Sequence, residues 1–282
     1  FVLVGGRAYL LQVGGTAPVI WTVRGRVLTP SAVWSPDAFN LFGAFVGAGD
    51  GPSFSDYFAP SAAHAGQRVF RLNEKGQWVD VVDAASAKIR AGEAYWLRCE
   101  GASDYAGPIS VTFGNGLDKM DFARKGVSMG LTISNRTGAP RTVELASRVS
   151  EAPPEASGEA LLAGAVPLSW LNTSAKTPAW ESLDTPVSLT VPAKGEVVLT
   201  LSVARDKMTP FAPPEGAEAM YESILDVRDS GGLLYRLPVL AKSAYTEGEV
   251  AVGAAAYPNA LLPGLWVGTA LVNQVSKIED TT

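Results

Sequence analysis

Apolar and polar positions alternate in short runs along most of the chain. Val197, Leu199, Leu201 and Val203 share one parity, which is the pattern of a strand with one buried face. Similar runs recur over residues 127–133, 142–146, 166–171, 187–191, 223–227 and 233–240, with turn signals at 135–140, 193–195 and 229–232. Seven strands at that spacing over residues 127–242 predict an immunoglobulin-like β-sandwich. Upstream, residues 69–72 and 77–82 alternate around Asn73-Glu74-Lys75-Gly76 and predict a hairpin, with glycine at the position that needs positive φ. Ser53 followed by Asp56 is a capping pattern that predicts a short helix to Phe58, stopped by Pro60. Residues 94–99 predict the central strand of this part. The expected class is all-β: a small mixed β module with one short helix, followed by the sandwich.

The chain also repeats itself. Gly6-Arg7-Ala8-Tyr9 answers Gly92-Glu93-Ala94-Tyr95, 86 residues on. Each copy runs through a glycine turn into an apolar strand, residues 20–23 and 109–111. Residues 1–26 therefore read as the tail of a truncated preceding module, two strands over 8–13 and 19–23. Residues 27–112 read as a complete module, 113–126 as a polar connector, and 243–282 as C-terminal strands and a connector. Phe1 falls inside a repeat unit, so it is expected to be a cut boundary. The connector carries Phe113, Leu117, Met120 and Phe122, a density of apolar side chains expected to form a fixed seam between module and sandwich.

Composition narrows the chemistry. The chain has 282 residues, with 29 glycines and 19 prolines spread along it, as short strands and tight turns require. Net charge is −5; residues 1–112 balance nine basic against nine acidic side chains, so the excess lies downstream. No basic stripe exists, so nucleic acid is not an expected partner. No apolar run approaches the length of a membrane span, so membrane insertion is not expected either.

Catalytic chemistry has little to draw on. His64 is the one histidine, and no nucleophile elbow accompanies it, so a base-activated nucleophile is not expected. Asp80 with Asp83, or Asp226 with Asp229, sit at hairpin ends, where solvated turn acids are the ordinary outcome. The single cysteine, Cys99, alternates in phase with Tyr95 and Leu97 and reads as a small buried apolar residue. One His and one Cys do not make a zinc site. The acids of 50–56 and 114–118 do not follow EF-hand spacing, so neither metal nor cofactor is expected. Seven tryptophans are the open question. By the two-residue period, Trp78 points opposite Val79 and Val81, and Trp96 opposite Tyr95 and Leu97. If the aliphatic residues face inward, both tryptophans face outward. Trp78, Trp96 and Tyr105 are the candidate ligand-binding residues.

The module resembles a recurrent element of large bacterial surface and secreted multidomain proteins. The resemblance rests on Trp34 leading to Phe39-Asn40-Leu41-Phe42-Gly43, and on Gly92-Glu93-Ala94-Tyr95-Trp96. Residues 117–241 resemble the immunoglobulin-like domains beside such elements, through Leu131-Thr132-Ile133-Ser134-Asn135, Gly138-Ala139-Pro140 and Leu237-Pro238-Val239. The resemblance implies a non-catalytic structural or adhesive segment of a larger bacterial extracellular or cell-surface protein. Its expected partners are neighbouring domains of the parent chain, and glycans or another surface protein. The alternatives are a carbohydrate-binding module and an accessory region of a secreted hydrolase.

Overall fold

Strands whose apolar residues share one parity bury that face against a second layer, and the chain does this twice. The computed structural model describes residues 8–10, 14, 25–153, 161–174, 176–211 and 219–242. The strands expected over 19–23, 249–256 and 265–275, and most of that over 8–13, fall outside the described residues. The chain divides into a unit over residues 1–242 and a second over 243–282; all that follows concerns the first.

The module holds a four-stranded antiparallel sheet. It is built from β1 (Ala38–Phe42), β3 (Val69–Leu72), β4 (Trp78–Asp80) and β6 (Tyr95–Cys99), in the order β1-β6-β3-β4. A two-stranded ribbon of β2 (Asp50–Ser53) and β5 (Lys88–Arg90) lies beside it. Between β2 and β3 runs α1 (Phe54–Phe58), the one α-helix among the described residues. Ser53 caps it by accepting from the Asp56 amide at 3.0 Å, as the sequence pattern predicts. Phe54, Tyr57 and Phe58 are buried under the sheet, where Phe54 meets Tyr95 edge to face. Gly76 has φ +72 in the β3–β4 turn, the conformation expected of it. Residues 88–90 show no strand signal of their own in the sequence. Ile89 nonetheless lies in β5 and is fully buried, because β2 supplies a partner that the local pattern does not reveal.

The sandwich packs two sheets. One has the order β14-β10-β16-β17-β8, with β11 (Leu161–Gly164) beside β16. Its strands are β8 (Met120–Asp121), β10 (Arg141–Val149), β14 (Val187–Val191), β16 (Ala219–Asp229) and β17 (Leu234–Lys242). The other runs β13-β12-β15-β9-β7, from β7 (Ile109–Phe113), β9 (Ser128–Asn135), β12 (Leu168–Asn172), β13 (Ala179–Ser182) and β15 (Glu196–Val203). The core between them contains Leu131, Ile133, Leu199, Leu201 and Val203 from one side, and Val143, Leu145, Leu225, Val227, Leu237 and Val239 from the other. The fold is nearly all-β, a small mixed module with one short helix followed by an immunoglobulin-like sandwich.

The structure redraws the link between the two parts. Residues 109–111 were assigned to the module, yet Ile109–Phe113 pairs with β9 and is the first strand of the sandwich. Residues 113–126 then cross from one sheet of the sandwich to the other, since β8 pairs with β17. Phe113, Met120 and Phe122 are buried in the continuous apolar core, whereas Leu117 is exposed. Other residues also join module to sandwich. The Leu234 amide donates to Phe45 O at 3.0 Å and Gly47 N to Gly232 O at 3.1 Å. Phe45 meets Tyr235 edge to face, and the Tyr235 hydroxyl donates to Ile109 O at 2.6 Å.

Candidate functional site

Strand register fixes what the outer face of the module sheet presents. Trp96 stands opposite Leu41 on one side and Phe70 on the other. Phe39 is opposite Arg98, Leu72 opposite Trp78, and Phe70 opposite Asp80. These residues have the parity opposite to Tyr95, Leu97 and Cys99, which are fully buried. Trp78 and Trp96 are each half-buried, and their rings meet at 6.0 Å and 70°. Phe39 and Phe70 meet at 5.9 Å and 64°. Phe39 is 49 % exposed and Leu72 45 %. The Arg68 guanidinium lies over the Phe70 ring at 4.9 Å, and its Nε and Nη2 both donate to Asp80 Oδ2. The face is thus a run of aromatic and aliphatic side chains with a polar margin.

Tyr105, the third candidate, is not on this face. It is buried, its hydroxyl donates to Tyr57 O, and its carbonyl accepts from Trp34 Nε1 at 2.8 Å. Burial raises its pKa well above the usual phenol range. The Arg136 guanidinium sits 5.7 Å from its ring centroid. Tyr105 therefore belongs to the packing between module and sandwich, and the expectation that it binds a ligand is corrected. No alternation exists in its Gly-rich loop from which its direction could be read.

His64 lies in the module core, 1 % exposed, with Nδ1 2.7 Å from Ser61 Oγ. Trp34, Phe58 and Tyr105 surround its ring. Burial lowers its pKa to about 4, and Nε2 has no hydrogen-bond partner. Ser61 is also buried, so the pair is closed to any substrate and serves packing. Cys99 is buried, its Sγ donating to Gly101 O, and burial raises its pKa. Among the described residues no three His, Cys, Asp or Glu side chains gather in a way that would hold a metal ion. Nor is any helix among them long and apolar enough to cross a membrane.

A cleft of about 690 Å³ lies between α1 and the sandwich turns at 136–141, 194 and 230–231. It is lined by Asp56, Arg136, Arg141 and Lys194 among others. Arg141 pairs with the buried Asp229, and Arg136 lies 3.6 Å from Asp104. Two of its three cations are thus already neutralised, and the cleft offers an anion little.

About half of the chain is similar to parts of solved bacterial proteins. A Pseudomonas aeruginosa CupB2 chaperone matches at 17 % identity and TM-score 0.28, over 49 % of this chain and 57 % of that one. The Salmonella enterica SafA pilin in complex with the SafB chaperone matches at 12 % and TM-score 0.27, over 51 % of this chain and 61 % of that one. The chain therefore spans roughly three fifths of the length of these solved chains. No protein-family model matches the sequence, and no curated protein does.

Proposed function

We propose that this chain is a non-catalytic structural or adhesive segment of a larger bacterial extracellular or cell-surface protein, with neighbouring domains of its parent chain as its first partners. The observation that carries this reading is that module and sandwich share one apolar core, stitched by the Phe45–Leu234 and Gly47–Gly232 backbone bonds. A shared core resists relative motion, which suits a piece that spaces or presents its neighbours. Scanning calorimetry tests it: one cooperative transition for module and sandwich is expected, with calorimetric and van't Hoff enthalpies in agreement. Two separated transitions would remove the support.

The outer face of the β1-β6-β3-β4 sheet favours a second reading, a carbohydrate-binding module. Half-exposed aromatic rings offer flat apolar surface to the C–H faces of sugars, and a monomer rarely leaves a large apolar patch unused. Trp78→Ala with Trp96→Ala is expected to abolish retention on a glycan array while shifting the melting temperature by only a few degrees. A stability loss of roughly 3–5 kcal/mol, as for emptied core aromatic sites, would mean that the rings are core, and this reading would fall.

A further inference from the structure

The outer face of the module sheet carries charge as well as rings, with cations in excess over anions among Arg68, Asp80 and Arg98. Register places Arg98 directly opposite Phe39 and two residues along β6 from Trp96, on the same face. Arg98 is exposed, and its side chain makes no hydrogen bond or ion pair among the described residues. Arg68 precedes β3 and turns its guanidinium over Phe70. Asp80 Oδ2 takes Nε and Nη2 of Arg68, which leaves Nη1 uncommitted. The face therefore holds two guanidinium groups and one carboxylate, in a chain whose net charge is −5. A local positive excess beside exposed rings, on an acidic protein, selects for a ligand with an apolar side and an anionic group.

The two aromatic pairs restrict the ligand further. Trp78 and Trp96 meet at 70° and Phe39 and Phe70 at 64°, so each pair forms a corner and not a plane. A flat crystalline polysaccharide needs coplanar rings. A corner fits one sugar ring at a time, seated on one aromatic face and walled by the other. A guanidinium at the end of such a seat meets a carboxylate in a forked, charge-assisted geometry that a hydroxymethyl group does not reproduce.

We propose that this face binds acidic sugars, with a pyranose ring seated against Trp96 and walled by Trp78, and its carboxylate held by Arg98. The proposal rests on the carbohydrate-binding reading and names its ligand class. Titration calorimetry on the intact chain tests it, with two probes: a uronic-acid oligosaccharide, and the same oligosaccharide with its carboxyl groups reduced to hydroxymethyl. The acidic probe is expected to bind about tenfold tighter, the step a single charged hydrogen bond supplies, and to lose that advantage in 0.5 M salt. Arg98→Ala is expected to bring both probes to the same affinity; Arg98 is exposed, so folding is not at stake. Equal affinity of the two probes for the unchanged protein overturns the acidic preference and leaves the glycan reading standing. A preference that survives Arg98→Ala overturns the assigned site. Failure of both probes to bind overturns the proposal, and if neutral glycans also fail on an array the carbohydrate-binding reading falls with it.

Discussion

At the level of single residues, what could be read in advance is what obeys the two-residue period. Trp78 and Trp96 lie where that period puts them, opposite Val79, Tyr95 and Leu97 across the sheet. Tyr105 and His64 sit in loops, where neighbours in sequence carry no information about direction. Their burial is decided by Tyr57, Trp34 and Arg136, which reach them from other segments. His64 has a testable consequence. Folded, it resists protonation down to about pH 4, whereas in the unfolded chain it titrates near 6.5. Above pH 6.5 both states are neutral and its packing is fully retained. As pH falls from 6.5 to about 4 the unfolded state takes up a proton that the folded state refuses, and stability drops. The slope from this group is at most about 1.4 kcal/mol per pH unit. His64→Phe is expected to flatten urea-unfolding stability across that window relative to the unchanged protein; parallel pH profiles for the two would count against it. Gly107 is a second such position. A Cβ there would overlap the Tyr235 hydroxyl, so Gly107→Ala is expected to lower the melting temperature by several degrees or to block folding, and an unchanged melting temperature would show that Tyr235 can move aside.

At the level of elements, strands with clear alternation were legible even where their partner is distant, as for β9 with β15, whereas short strands without it were not. The β3–β4 hairpin and the capped helix α1 follow from local rules, whereas β5 and β11 depend on partners that no local window contains. The same limit explains why Ile109–Phe113 was assigned to the module: the internal repeat attaches an apolar strand to each copy, but long-range pairing with β9 decides its sheet. Two polar side chains hold such distant elements together. Asn135 is buried and ties the turn after β9 to the turn before β15. Its Nδ2 donates to Ala139 O, Val191 O and Pro192 O, and its Oδ1 accepts from the Thr137 amide and hydroxyl. Asn135→Ala leaves those buried groups without their partner, and a loss of about 2–3 kcal/mol in urea unfolding is expected; a loss under about 0.5 kcal/mol would mean that water replaces the amide without cost. Arg205 performs a similar task at the other end. It donates to Gly126 O, Phe122 O, Ala123 O and Lys242 O, fastening the crossing segment to the end of β17. Arg205→Lys keeps the charge but not the fork, so it is expected to cost nearly as much as Arg205→Ala. Full stability of the lysine variant would reduce Arg205 to a simple charge.

At the level of the whole unit, the question is whether module and sandwich move as one body. Of the expected seam, Phe113, Met120 and Phe122 are buried in the apolar core that module and sandwich share, and Leu117 is exposed. Backbone pairing and aromatic contact add to that shared core. Val46 forms a β-bridge with Leu233, so a module segment continues the edge of the β17 sheet. The Tyr57 hydroxyl donates to Ala106 O at 2.7 Å and the Arg136 amide to Pro108 O at 2.9 Å, which fixes the short passage into β7 from both sides. Sequence offers little warning of such a joint, because every bond in it spans distant residues and most use backbone atoms, which no side-chain pattern encodes. Hinge motion would require breaking several of these bonds at once, together with the Phe45–Tyr235 contact. Residual dipolar couplings distinguish the outcomes without interference from residues outside the unit. Amides of the described residues within 38–99 and 128–242 are expected to fit a single alignment tensor. Tensors of unequal magnitude would show independent reorientation. That result would remove the rigid spacer reading and shift weight toward a tethered sugar-binding head, whose affinity for a surface would then rest on the Trp96–Arg98 face alone.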